Sequence, residues 1–91
     1  MKKQQRGGPS FHPGRILYEQ FLKPKGISQN ALARELGVPP RRINEIILGK
    51  RGISADTALR LAKRFRNSAR FWMALQAEFD LQLAQREARQ S

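Results

Sequence analysis

The 91-residue chain contains no cysteine and only one histidine. Without cysteine it forms neither a disulfide nor a thiolate metal site. The single histidine, His12, has no second imidazole or carboxylate close in sequence, and the chain shows no nucleophile and base pair, glycine-rich phosphate loop or paired-carboxylate motif. We therefore predict a protein that is not an enzyme, holds no metal or cofactor and has no small-molecule substrate.

Long hydrophobic runs are also missing. No stretch approaches the roughly 18 apolar residues of a membrane span, and the basic first residues have no apolar segment behind them of the kind that a secretory signal requires. We expect a cytoplasmic protein that neither spans a membrane nor is secreted.

Acidic residues are scarce, since seven Asp and Glu stand against 18 Lys and Arg, a formal net charge of +11. The excess is spread along the chain and is not confined to one tail. Such a chain attracts polyanions, and nucleic acid is the first candidate because each Lys or Arg that neutralises a phosphate releases condensed counterions. A membrane surface or an acidic protein partner is left open by charge alone.

Apolar residues recur three and four positions apart, and no segment alternates with period two for long enough to form a strand. The pattern predicts an all-α fold of five helices in one domain, residues 13–91, after a mobile basic arm at residues 1–12. The first helix should begin at Pro13 and end near Leu22, and the last should fray from about residue 85. The other helices follow candidate N-caps at Ser28, Pro39, Ser54 and Ser68.

Residues 28–50 combine the features of a helix-turn-helix, formed by the second and third helices. Ala33 is small enough for the two helices to approach closely, and Gly37 can adopt the left-handed backbone of a sharp turn. Ile43 and Ile46 then anchor the third helix on the core. Each position alone is a weak signal, whereas the combination is fairly specific.

The start of the third helix, which opens at Pro40, is the candidate for base contact. With the isoleucines inward, Arg41 and Glu45 point most nearly outward, and Arg42 and Asn44 lie on the flanks. Arginine matches the guanine edge and asparagine the adenine edge in a major groove. The alternative is a solvated face with an Arg41–Glu45 ion pair worth roughly 0.2–0.5 kcal/mol, but the turn geometry and the net charge favour DNA contact.

Three further residues are candidates for phosphate contact. Gln29 lies in the first turn of the second helix, and Lys50 and Arg51 follow the third helix where the strand backbone should pass. Each could instead be ordinary surface, because sequence does not distinguish a phosphate contact from a solvated charge.

Two apolar stripes mark the last two helices. One face of the fourth should carry Ala55, Ala58, Leu59, Ala62 and Phe65. The stripe of the fifth is large for one small core, so we expect most of it to be buried and the remainder to be available for a two-fold interface. A dimer would set two third helices about 34 Å apart, one turn of DNA. This second stripe consists of Phe71, Trp72, Leu75 and Phe79.

The segment from Ser28 to Val38, with Ile43-Asn44-Glu45-Ile46 and Gly49-Lys50-Arg51, resembles the lambda-repressor-like helix-turn-helix fold. His12-Pro13-Gly14, the segment from Ile53 to Ala62 and the segment from Phe71 to Leu81 resemble the HigA-type antitoxins of bacterial addiction modules. The resemblance covers about residues 12–84.

What this resemblance implies is a homodimer that binds a palindromic operator in double-stranded DNA, represses its own operon and is associated with the nucleoid. It also implies neutralisation of a HigB-type toxin, a ribonuclease that cleaves messenger RNA on the ribosome. The family pattern places phosphate contact at Gln29 and base contact at the outward side of the helix opening at Pro40. Pro39 departs from many relatives, in which a hydroxyl residue caps this helix.

Two alternatives stay open. The fold could serve a stand-alone transcriptional regulator without a toxin partner, because family members of both kinds look alike. The high pI also permits an RNA-binding protein, but RNA binders usually place stacking aromatics among basic residues, and here the aromatics lie at core spacing.

Overall fold

The computed structural model describes residues 11–90, so the first ten residues of the predicted basic arm lie outside the described residues. Within this range the chain forms five helices and no strand, as predicted. The first helix, α1, is Pro13–Ile16 and passes without interruption into a π-helical segment, Leu17–Leu22. The others are α2 (Gln29–Leu36), α3 (Pro40–Ile47), α4 (Ala55–Phe65) and α5 (Ala69–Gln90).

Serines begin three of these helices, where the first backbone N–H groups have no partner within the helix. The hydroxyl of each accepts a hydrogen bond of 3.0–3.3 Å from the N–H three residues further on. The serines are Ser28, Ser54 and Ser68. Pro39, before α3, makes no such bond, but its extended backbone (φ −62°, ψ 140°) delivers Pro40 to a first-turn position where a missing N–H costs nothing.

The core lies among all five helices and is closed by the tryptophan of α5. Trp72 is fully buried, and its indole Nε1–H donates to Asn67 Oδ1 at 2.9 Å. Phe21 packs against it with ring centroids 4.9 Å apart, and Phe65 lies 5.0 Å from Phe21. Other fully buried apolar side chains in the described part of the chain are Pro13, Leu17, Leu22, Leu32, Ala33, Ile43, Ile46, Ala58 and Leu61.

One predicted stripe was wrong in part. Leu59 of α4 is 63% exposed and Ala55 is exposed too, while Leu61 is fully buried. The apolar residues of α4 that face the core are Ala58, Leu61 and the partly buried Ala62 and Phe65. At 100° per residue, Leu59 lies nearly opposite Leu61 and therefore points to solvent.

The first turn of α1 lies directly against the end of α3. A Cβ atom on Gly14 would be 1.8 Å from the carbonyl oxygen of Ile46 and 2.9 Å from Cα of Ile47. Only a residue without a side chain fits this distance, because the neighbouring atoms belong to the backbone. This contact fixes where α3 stands relative to the rest of the domain.

His12 caps α1 and also contacts α5. Its Nδ1 accepts a hydrogen bond from the Gly14 N–H at 3.0 Å, and its ring meets that of Phe79 edge-on, with centroids 4.7 Å apart. Burial lowers the pKa of His12 below the usual histidine value, and the charge of Asp80 opposes this effect in part. The residue thus has the structural role at the helix start that its position before Pro13 suggests.

Candidate nucleic-acid interface

The turn between α2 and α3 has the predicted geometry. Gly37 ends α2 in the left-handed conformation (φ 73°, ψ 34°), and the Val38 N–H returns to the Ala33 carbonyl at 3.0 Å. Ile43 and Ile46 are fully buried beneath α3. The opposite side of α3 is therefore held outward by the core and by the turn together.

The outward side chains of α3 differ in exposure. Arg41 has 85% of its side-chain surface exposed, and Asn44 is also exposed. Arg42 is partly covered, and the side chain of Glu45 retains only 23% of its accessible surface. Glu45 is more covered than its helical angle predicts because two arginines lie over it.

The first turn of α2 is joined to α3 by a side-chain hydrogen bond. Asn44 Nδ2 donates to Gln29 Oε1 at 3.0 Å, across 15 residues of sequence. The amide nitrogen of Gln29 and the second amide hydrogen of Asn44 stay available as donors, and the amide oxygen of Asn44 stays available as an acceptor. A candidate phosphate contact and a candidate base contact therefore form one unit.

Glu45 is shared by two arginines. Its Oε1 accepts from Arg51 Nε at 2.9 Å and its Oε2 from Arg41 Nε at 3.0 Å. These bonds to Arg51 and Arg41 lower the pKa of Glu45 below the usual glutamate value. The Arg41–Glu45 ion pair, which belongs to the alternative of a solvated face, is present, and the loop after α3 is tied to the same carboxylate through Arg51.

The carboxylate of Asp56, in the first turn of α4, also reaches this surface. Its Oδ2 lies 3.5 Å from an outer nitrogen (Nη1) of Arg42 and accepts from Arg60 Nε at 3.0 Å. Arg60 also donates to the carbonyl oxygen of Leu36 at 2.7 Å. The only sequence signal for Asp56 was an acidic residue near the N-terminus of α4, because its contact with Arg42 depends on the fold.

A second residue with an unforeseen role is Gln76 of α5. Its Oε1 accepts from the Ile53 N–H at 2.7 Å, and its Nε2 donates to Asp80 Oδ1 at 2.9 Å. A Cβ on Gly52 would lie 3.0 Å from the amide of Gln76. Gln76 therefore holds the end of the loop that carries Arg51. The only sequence signal for this role was a polar residue within the apolar face of α5.

All eight sequence-predicted residues belong to the first turn of α2, to α3 or to the loop after it. Side-chain bonds connect Gln29 with Asn44 and Glu45 with Arg41 and Arg51. Pro40 and Lys50 are exposed, and the Lys50 N–H is fixed by the Glu45 carbonyl at 2.8 Å. We call this set the candidate DNA interface: Gln29, Pro40, Arg41, Arg42, Asn44, Glu45, Lys50 and Arg51.

Other kinds of site were sought in the same part of the chain. Among residues 11–90, no group of three or more acidic or histidine side chains could hold a metal ion. No helix within this range is long and apolar enough to cross a membrane.

The fold and this surface define a helix-turn-helix protein, and the helix-turn-helix family model matches residues 19–72. Virulence-associated protein I of Dichelobacter nodosus is 51% identical over 79 residues, which are 87% of this chain and 73% of that protein.

Two solved structures show the same family likeness. The Pseudomonas aeruginosa antitoxin HigA, solved with the higBA promoter, is 51% identical and has a TM-score of 0.77, with 78% of this chain and 77% of that chain covered. An addiction module antidote protein of the HigA family from Coxiella burnetii is 41% identical and has a TM-score of 0.85, with 91% and 89% covered. Within the helix-turn-helix proteins, the chain therefore belongs to the HigA antitoxin family, and the predicted family and fold are confirmed.

Proposed function

We propose that the chain is a sequence-specific repressor and HigA-type antitoxin that binds the operator of its own operon. The observation that carries this proposal is the exposed start of α3, on which Arg41 and Asn44 are offered outward above buried Ile43 and Ile46. The net charge of +11 supports attraction to a duplex. The HigA relative solved with promoter DNA supports the same function.

The residues of the candidate DNA interface are proposed to contact either bases or phosphates. The outer nitrogens of Arg41 match the O6 and N7 of guanine, and the free amide hydrogen and oxygen of Asn44 match adenine. Gln29 donates its amide nitrogen to a phosphate while orienting Asn44. Lys50 and Arg51 contact the phosphate backbone of the DNA beside the end of α3. Arg42 and Glu45 are further candidates for base contact, on the helix that opens at Pro40.

We further propose that the protein acts as a homodimer on a palindrome, with α5 providing the contact between copies. Met73 and Leu81 are 36% and 54% exposed, and with Ala77 they form an apolar row at four-residue spacing. Small side chains between two larger ones allow the same face of a second α5 to approach closely. The proposed contact thus uses another side of α5 than the aromatic stripe, whose central residue, Trp72, is buried in the core.

The proposed toxin partner is a HigB-type ribonuclease that cleaves messenger RNA, and the proposed location is the cytoplasm, at the nucleoid. Membership of the antitoxin family supports this partner. Co-expression with the product of the adjacent gene tests it. A product that neither binds the protein nor arrests growth without it would favour the stand-alone regulator instead.

Base contact is tested by comparing substitutions in α3 and in the loop after it. Arg41→Ala should weaken binding to the promoter of the chain's own gene more than binding to a scrambled duplex, by about 1–3 kcal/mol. Lys50→Ala should make the binding constant less dependent on salt, by the slope of about one phosphate contact, and should keep the preference for the promoter. Arg89→Ala, exposed in the last turn of α5, is the control.

Each outcome separates the candidate functions. A uniform loss on both duplexes would restrict Arg41 to phosphate contact. Equal affinity of the unaltered protein for promoter DNA, scrambled DNA and RNA would favour the RNA-binding alternative.

A further inference from the structure

The arginines that face outward from the candidate DNA interface are engaged by carboxylates of the same chain. Arg41 and Arg51 each donate through Nε to a different oxygen of Glu45, at 3.0 and 2.9 Å. Both oxygens of the Glu45 carboxylate are therefore bonded to arginines of the interface. Three charged groups in this cluster carry a combined charge of only about +1, because one negative charge offsets one of the two positive charges.

Asp56 produces the same arrangement at the other edge of α3. Its Oδ2 lies 3.5 Å from Nη1 of Arg42 and 3.0 Å from Nε of Arg60. Arg60 is held in place from its other side by the Leu36 carbonyl at 2.7 Å. Asp56 of α4 thus pairs with Arg42 of α3 and with Arg60, which is itself bonded to the end of α2.

Folding stability does not account for these pairs. Ion pairs at exposed positions contribute little to stability, because solvent screens the charges and two long side chains must be ordered. The side chain of Arg41 is largely exposed, and that of Asp56 is more than half exposed. The two carboxylates instead weaken the positive electrostatic field that an approaching DNA duplex meets.

Specific and non-specific binding respond differently to that field. Non-specific binding depends on net positive charge and counterion release. Specific binding depends in addition on short-range hydrogen bonds to base edges, and a carboxylate can support these by orienting a guanidinium or by accepting from the cytosine amino group. A negative charge among the reading arginines therefore weakens the first kind of binding more than the second.

We propose that Glu45 and Asp56 are specificity-determining residues whose carboxylates restrain the interface arginines and so weaken binding to non-operator DNA more than binding to the operator. The proposal rests on the proposed function. It assigns to Glu45 a role beyond base contact, and it adds Asp56 to the residues that govern DNA recognition.

The experiment compares Glu45→Gln with a matched control. Glutamine keeps the size of the side chain and removes its charge, while Glu19→Gln removes an equal charge from the π-helical segment, where Glu19 pairs with Lys23 at 3.7 Å outside the candidate DNA interface. Dissociation constants are measured on the promoter of the chain's own gene and on a scrambled duplex of equal length across a salt series. Melting temperatures verify that both variants fold.

Glu45→Gln should strengthen binding to the scrambled duplex about fivefold at roughly 0.15 M salt, the effect of about one additional phosphate contact, and steepen its salt dependence by about one. Promoter binding should change by less than about twofold, so that the preference for the promoter falls. Glu19→Gln should leave that preference unchanged. Asp56→Asn should act in the same direction as Glu45→Gln and provides an independent second variant.

Unchanged or weaker binding of the scrambled duplex by both interface variants would overturn the proposal, as would equal strengthening on the two duplexes. Both results are separable from failure of the proposed function. If the unaltered protein does not prefer the promoter, the proposed function itself fails, whereas a preference that survives both substitutions overturns only the role of the carboxylates.

Discussion

Replacing Gly14 by alanine should destabilise the protein strongly, although alanine is the better helix former. In a helix without close neighbours, this change stabilises by roughly 0.5–1 kcal/mol. Here the added Cβ would lie 1.8 Å from the Ile46 carbonyl oxygen, where an ordinary contact begins near 3.4 Å. The ends of α1 and α3 would therefore have to separate by more than an ångström.

The clash should reverse the sign of the effect. Overpacking typically costs 1–3 kcal/mol, and the upper end of that range applies because the atoms in the way belong to the α3 backbone and have no rotamer to change. For a chain of this size, a loss of about 3 kcal/mol lowers the melting temperature by roughly 12–24 °C. Promoter affinity should also fall, since α3 is the element displaced.

Thermal unfolding followed by circular dichroism measures the loss, and Gly26→Ala is the matched control. Gly26 has a left-handed backbone (φ 64°), but nothing lies within 4 Å of the position of its Cβ. Alanine there should cost only about 1 kcal/mol of backbone strain. A Gly14→Ala protein at least as stable as the unaltered chain would refute the close contact between α1 and α3.

Two further predictions concern His12 and Gln76. Because burial lowers the pKa of His12 in the folded chain, its stabilising contribution is complete above the unfolded value of about 6.5 and is lost as the pH falls toward the folded value. Between about pH 7.5 and 5.5, the melting temperature of the unaltered chain should therefore fall more than that of the His12→Asn variant, because an asparagine cap does not titrate. An equal fall in the two proteins would contradict the role of His12 as a cap. Gln76→Ala should lower the free energy of unfolding in urea by about 1–2 kcal/mol, because the Ile53 N–H loses its acceptor. The same change at the exposed Gln85 should have little effect, and equal losses at the two positions would show that the bond to Ile53 contributes nothing.

Local chemistry made much of the fold predictable. Ser28, Ser54 and Ser68 each precede a helix whose first N–H groups need an acceptor, and Gly37 ends α2 where a left-handed residue is required. The isoleucines of α3 were placed correctly because their spacing allows only one buried side. Leu59 was misplaced, since two interleaved apolar spacings in α4 left the choice of buried face to tertiary packing.

The connections within the site were not predictable in the same way. Gln29 and Asn44 are 15 residues apart, and Ile53 and Gln76 are 23 apart. Such pairs depend on how the helices are placed relative to one another, and a local sequence pattern does not predict that placement. Membership of the candidate DNA interface could be proposed from the sequence of the helix-turn-helix alone, but the bond that orients Asn44 required the position of α2.

The bond between Gln29 and Asn44 has a consequence for engineering new operator preferences. Transplanting α3 from a relative would bring in a base-contacting side chain at position 44 without the residue at position 29 that orients it. A transferable recognition cassette must therefore extend back to the opening turn of α2, and libraries that randomise these two positions together should yield altered targets that single-site libraries miss.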